Sequence, residues 1–469
     1  MHQGSRKLTY HRWETPYPFP PSLQSLLADH PNMRLTYINN DRGPHAMDKA
    51  ILSSLHLDHL DFTALANGPE AVCLSEMSEL KQCLLQACNL KILRLQVGAP
   101  SWGSNNDYQE SPLNLPFRDG DIFPALEELT LDPRLQNYFP TAEHCEMWSR
   151  CMDWGRLHTL DFGYGTPTAL LQALTGRVSQ LKTLNFGFWE GYTGAASAFW
   201  NSSKDMEVLE RFLNSIDALR NVKTYSLDDE DMQKVRPTLL AKHGRSLRSL
   251  EAKYARSIAW DPEHFYNLAE TAREIKILRL PTKVQRKEGK KELSVWPDEK
   301  ATRKISAVAH LKKLFAISSS QKYGVSSLRS SILSFSPSTP QSAAARRSVH
   351  SALTSFCHLT QLHLKLYLEY DSYQLILYPH PDAWGSPQIK QKAVHNLMLR
   401  LWHDFGPKSA IQQIEVAFVS PGGSTKIWYY TVFRKWQKRS SDGMWEDKVV
   451  VEMREEGKDY DPSTFDPFC

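Results

Sequence analysis

The chain has 469 residues, 41% of them hydrophobic, with 56 Lys and Arg against 52 Asp and Glu. A net charge of +4 on this length argues against a dedicated nucleic-acid binder, and no stretch approaches the roughly 18 to 20 apolar residues that span a bilayer. Residues 1–21 carry charges and prolines where a secretion signal needs an apolar run, and seven cysteines form a sparse, odd set, so the expected protein is cytoplasmic or nuclear, off the membrane, with reduced thiols.

Residues 1–50 read as an N-terminal extension with a degenerate first unit, whose helix and strand fall within 20–39. From there a pattern Leu-x-x-Leu-x-(Leu/Phe) recurs. It occurs as Leu57, Leu60, Phe62; Leu90, Leu93, Leu95; Leu126, Leu129, Leu131; Leu157, Leu160, Phe162; and Leu181, Leu184, Phe186. Looser copies are Val222, Tyr225, Leu227; Leu247, Leu250, Ala252; Ile275, Leu278, Leu280; Leu311, Leu314, Ala316; Leu359, Leu362, Leu364; and Ile411, Ile414, Val416. The middle positions recur every 24 to 52 residues, about 35 on average.

Three apolar positions agree often by chance, so the context carries the argument. Amphipathic helical stretches precede most copies, at 74–87, 142–152, 169–178, 206–216, 228–243, 262–273, 300–309, 343–356 and 388–404. Thr166-Pro167 and Asp261-Pro262 read as a capping side chain followed by proline at the first helical position, and Gly244 as a closing C′ glycine. Helix-then-strand units repeated in order predict an α/β solenoid of parallel strands on one face and helices on the other, over 51–317 and 343–419. Twelve serines lie between Ser318 and Ser348, and the segment 318–342 reads as a disordered insertion. Residues 420–469 are expected to close the array with a β-hairpin, 426–436 and 445–454, and a tail.

The strands LKTLNF at 181–186 and LHTLDF at 157–162, the long irregular units, His30-Pro31 ahead of a strand and the aromatic C-terminal hairpin together resemble the leucine-rich-repeat region of filamentous-fungal F-box proteins, over about residues 20–469. That resemblance implies a substrate-recognition part of a cullin-type ubiquitin ligase, with a protein substrate on the repeats and the ligase adaptor as a second partner. The F-box itself is not recognisable: residues 1–40 show no three-helix pattern, and five prolines fall between Pro16 and Pro31. The other expectation is a scaffold or regulatory interaction protein unconnected with ubiquitin.

Chemical motifs are sparse. The sequence has neither a phosphate loop nor a nucleophile elbow, and Gly163-Tyr164-Gly165 reads as a turn, so the expected protein is not an enzyme and takes no cofactor or metal. The cluster from His56 to Asp61 resembles a metal site, but on a strand His56 and Asp58 face one way and His59 and Asp61 the other. Lys283, Arg286, Lys287, Lys290 and Lys291 read as a solvated insertion. Arg434, Lys435, Lys438 and Arg439, interleaved with Trp428, Tyr430, Phe433 and Trp436, read as a hairpin covering the last repeat.

The informative feature is the row between the second and third apolar positions, which must point outward onto the open face of the sheet. It reads Asp61, Arg94, Thr130, Asp161, Asn185, Ser226, Glu251, Arg279, Phe315, His363, Glu415. All but Phe315 are polar and both charge signs occur, as an exposed surface requires. At about 4.8 Å per strand the row extends roughly 50 Å, which suits a protein or peptide better than a small molecule.

Overall fold

A computed structural model describes residues 10–14, 17, 19–39, 47–64, 70–97, 115–132, 141–163, 168–187, 202–225, 229–253, 262–286, 293–294, 355–368, 377–378, 388–389, 391–405, 409–419, 427–439 and 445–454. The chain divides into two compact units, Met1–Arg256 and Ser257–Cys469. The serine-rich segment 318–342, the expected helix 300–309 and nearly all of 343–356 lie outside the described residues.

In the first unit nine strands lie side by side in chain order, all parallel: β1 (Tyr10–Glu14), β2 (Arg34–Asn39), β3 (Leu57–Ala64), β4 (Ile92–Val97), β5 (Glu128–Asp132), β6 (Thr159–Asp161), β7 (Thr183–Gly187), β8 (Asn221–Tyr225) and β9 (Ser249–Lys253). Helices α1 (Pro21–Asp29), α2 (Lys49–Leu52), α3 (Glu70–Gln86), α4 (Ala142–Cys151), α5 (Thr168–Leu174), α6 (Ser202–Ser215) and α7 (Asp229–His243) alternate with them, and α4 through α7 pack successively on one another. This is an α/β, solenoid-like arrangement.

Local chemistry sets the boundaries. Thr141 Oγ1 accepts from His144 N at 3.1 Å and so caps α4. Helix α5 stops at Leu174, short of the expected 178, because Gly176 takes a left-handed φ of 80°. Gly244 does not play that part after α7; it opens a 3-10 turn, Gly244–Ser246, that carries the chain into β9. Strand β1 lies outside the leucine pattern, since YHRWE at Tyr10–Glu14 contains no leucine.

The packing is a set of ladders. Leu60, Leu93, Leu129, Leu160, Leu184, Val222 and Leu250 are laterally paired, strand to strand, and all buried. Two parallel ladders flank it: Leu57, Leu90, Leu126, Leu157, Leu181, Leu219 and Leu247 at the strand entrances, and Phe62, Leu95, Leu131, Phe162, Phe186, Thr224 and Ala252 further along. Each fully buried leucine contributes about 1.5–3 kcal/mol of transfer free energy, and no unit could realise it without its neighbours. A backbone chain fixes the spacing, with Lys91 N donating to Asp58 O, Glu127 N to Lys91 O, His158 N to Glu127 O, Lys182 N to His158 O, Arg220 N to Lys182 O and Arg248 N to Arg220 O.

Two of the buried polar side chains of this unit, His243 and Lys81, tie its elements together. His243 Nε2 donates to Leu213 O at 3.0 Å and its Nδ1 accepts from Leu219 N at 3.3 Å, which rivets the end of α7 to the α6–β8 connection. Lys81 on α3 is 2% exposed and pairs with Asp121 at 2.9 Å, holding the segment that runs into β5. Beside it Phe117, Phe123, His144, Trp148 and Trp154 form an aromatic cluster.

The second unit holds α8 (Pro262–Thr271), β10 (Ile277–Arg286), the short β11 (Leu293–Ser294) antiparallel to β10, and β12 (Gln361–Leu368) parallel to β10. A two-stranded piece follows, β13 (Leu377–Tyr378) with β14 (Gln388–Ile389), then α9 (Gln391–Phe405) and β15 (Gln413–Val419), parallel to β12. The chain then reverses: β16 (Ile427–Lys438) and β17 (Trp445–Arg454) are an antiparallel hairpin laid on β15, as the aromatic runs anticipate. Val432 and Tyr430 are buried, and Arg434 lies over the Trp402 ring of α9 at 5.6 Å, so this arginine serves packing.

Candidate functional site

The outward row predicted from the sequence is laterally registered within each unit. In the first, Asp61 pairs with Arg94, Arg94 with Thr130, Thr130 with Asp161 and Asp161 with Asn185. The next partner of Asn185 is Lys223, which in turn pairs with Glu251. Ser226 lies outside the described residues, and Lys223 holds the place expected for it. The cause is local: the β8 copy is Leu219, Val222, Thr224, and a buried threonine, 1% exposed, stands where the pattern asks for an apolar residue. In the second unit Arg279, His363 and Glu415 are neighbours in the same way, with Thr431 beyond them; Phe315 lies outside the described residues.

The row is less open than the sequence suggests. Arg94 is exposed and Thr130, Asp161, Asn185, Lys223, Glu251, Arg279, His363 and Glu415 are half-buried, but Asp61 is 8% exposed and counts as buried. Side chains on adjacent strands stand about 5 Å apart and shield one another, and Asp61 sits between Ile38 and Arg94.

Lateral ties order the face. Asn185 Nδ2 donates to Asp161 Oδ2 at 2.6 Å, while Asp161 Oδ1 accepts from Gly163 N at 2.7 Å. Gly163 adopts φ 56°, so this aspartate pins the left-handed turn that ends β6. One step along, Gly187 must be glycine, because a Cβ there would come within 2.6 Å of Tyr225. Asn221 Nδ2 donates to Thr183 Oγ1 at 3.0 Å, Thr63 Oγ1 to Gln96 Oε1 at 3.3 Å, and Lys223 Nζ lies 4.9 Å from the centre of the Tyr225 ring. Arg94 and Lys223 thus frame a stretch from β5 to β7 whose outward groups are Glu128, Thr130, Thr159, Asp161, Thr183 and Asn185.

His59 lies on the same face, in register with Thr36 and Ile92. Burial lowers its pKa to about 4, helped by the Arg94 and Arg12 charges and opposed by Asp58, so the ring is neutral at physiological pH. His56 does not join it; its Nδ1 lies 3.1 Å from Met33 O. Among the described residues no group of three His, Cys, Asp or Glu side chains could hold a metal ion. No described helix is long and apolar enough to cross a membrane.

In the second unit His363 Nδ1 donates to Glu415 Oε2 at 2.7 Å, and Gln413 Nε2 donates to the other oxygen of Glu415. A carboxylate that orients an imidazole is one half of an acid–base device, but His363 Nε2 is buried away from any reactant. The pair reads as a lateral tie between β12 and β15.

The chain matches no protein-family model, and no curated protein matches it.

What sequence reasoning missed was Lys223 and the buried ties. A search allowing threonine at the third position would have found the first. The second depend on which strand lies beside which.

Proposed function

We propose that the chain is a leucine-rich-repeat protein that performs no chemistry of its own and binds another protein along the open face of its sheet, as the substrate-recognition part of a ubiquitin ligase. The observation that supports this reading is the lateral register of Asp61, Arg94, Thr130, Asp161, Asn185, Lys223 and Glu251 on seven adjacent parallel strands. At about 4.8 Å per strand they span roughly 30 Å, the reach of an extended peptide or one side of a small protein interface. Asp161 and Asn185, tied to each other before a partner arrives, lose little entropy on binding, and the row carries charges of both signs. They favour specificity over raw affinity.

The ligase role rests on the resemblance of the strands and hairpin to the F-box repeat region. A scaffold or regulatory interaction protein unconnected with ubiquitin is the second reading.

The test is a triple charge reversal, Arg94→Glu, Lys223→Glu and Glu251→Lys, followed by affinity purification from cells. The reading expects the variant to stay folded by circular dichroism and to lose the partner that the wild type holds. Retention of that partner at wild-type yield would overturn it. A cullin-ligase adaptor in the purified complex supports the ligase role, whereas a partner without the adaptor supports the scaffold.

A further inference from the structure

Strand β17 ends the sheet of the second unit. Its inner side pairs with β16 over ten residues, and among the described residues no strand pairs with its outer side. Such an edge presents a row of unpaired N–H and C=O groups, and proteins usually keep exposed edges short or charged. Strand β1 obeys that rule, with five residues and an exposed Arg12–Glu14 ion pair at 2.7 Å. Strand β17 is charged toward both ends, at Glu446, Asp447, Lys448, Glu452 and Arg454, but it is twice as long as β1 and carries the uncharged run Val449, Val450 and Val451 at its centre. On the face it turns toward α9, Val449 and Val451 stay half-buried and Met453 is 43% exposed, although Val432 beside them is fully buried.

We propose that this edge pairs with a second copy of itself, β17 running antiparallel to β17 about a two-fold axis through Val450, so that two sheets become one. Charge selects the occupant and the register. With Val450 on the axis, Lys448 of each copy falls opposite Glu452 of the other, Val449 opposite Val451, and position Glu446 opposite position Arg454. Moving the axis to Val449 would oppose Glu446 to Glu452, and moving it to Val451 would oppose Lys448 to Arg454, like charges in both cases. Because side chains alternate, Lys448, Val450 and Glu452 share one face and Val449 and Val451 the other, so each copy's half-buried valines cover the other's. An isologous contact of this kind closes after two copies.

Sedimentation of the full chain over a concentration series tests it. The wild type is expected to reach a dimer of twice 53.7 kDa. Lys448→Glu and Glu452→Lys are at exposed positions and should leave the fold intact by circular dichroism. Each sets two pairs of like charges facing each other and should weaken the dimer about tenfold or more. The double variant, with the charges exchanged, should recover the wild-type dimer. A wild type that stays monomeric, a dimer indifferent to either single reversal, or a double variant no better than the singles would each overturn the proposal.

Discussion

Asn185 reaches across from β7 to donate to Asp161 on β6 at 2.6 Å, and the same carboxylate holds Gly163 N. The most conspicuous acid of the open row is therefore also a structural part. Hydrogen bonds to charged groups are worth about 1.5–3 kcal/mol, and a turn with positive φ has few other supports. Asp161→Ala should lower stability by about 2 kcal/mol in urea unfolding, while Arg94→Ala, at an exposed position two strands away, should change it by about 0.5 kcal/mol or less.

The register of β8 makes a sharper prediction. Lys223 lies outward and Thr224 inward, 1% exposed, although the sequence pattern alone assigns them otherwise. Lys223→Asp should shift stability by about 0.5 kcal/mol or less, whereas Thr224→Asp buries a carboxylate with no counter-charge and should cost about 3 kcal/mol or more. Equal effects at the two positions would contradict the register.

Acid should destabilise the first unit in a defined window. Burial lowers His144 and His59 from 6.5 to about 4 and holds His243 below its ordinary value, where Leu213 O favours the charged ring and Lys242 opposes it. Folded-state values below the unfolded one mean that the unfolded chain takes up protons first. Stability is thus complete above pH 6.5 and falls as pH drops toward 4. At 1.36 kcal/mol per unit, His144 alone accounts for a loss on the order of 2 kcal/mol after allowance for its partial exposure. Unfolding midpoints measured from pH 7 to 4 should fall accordingly, and His144→Phe, which keeps a ring among Phe117 and Trp148, should flatten the curve.

Lys81 and Asp121 illustrate a different cost. Burial would raise the Asp121 carboxyl, but the Lys81 ammonium and the Arg118 N–H outweigh it and hold the group below its ordinary value. Asp121→Ala leaves an ammonium buried without its partner and should cost about 3 kcal/mol, while the double variant with Lys81→Met should regain most of that loss. Thermal melts of the two variants decide it.

Much of the fold is legible because the ladder is local in sequence. Leu60, Leu93, Leu129, Leu160, Leu184, Leu250, Leu278 and Leu362, expected as buried strand centres, are all buried on the strands of their units. Helices α4, α7 and α8 begin within one residue of the expected positions, whereas α3 and α6 each begin four residues earlier and α5 ends four residues short. Strand β1 was not legible, because its one inward tryptophan packs on Phe19 rather than continuing a leucine ladder. Neither was the burial of Asp61, Lys81 or His243, whose surroundings come from elements about 20 to 40 residues away. In the candidate site the sequence supplies most of the outward residues but not Lys223, and Asp161 and Asn185 as partners of each other follow only from the pairing of β6 with β7.

The most direct test of partner binding on the open face is site-specific photo-crosslinking in cells. Crosslinking residues would be placed one at a time at positions 94 and 223 on the face, and at positions 82 and 211, exposed on helices α3 and α6. The account predicts that 94 and 223 capture the same protein and that 82 and 211 do not. Capture of that protein from 82 or 211, with none from 94 and 223, would contradict it.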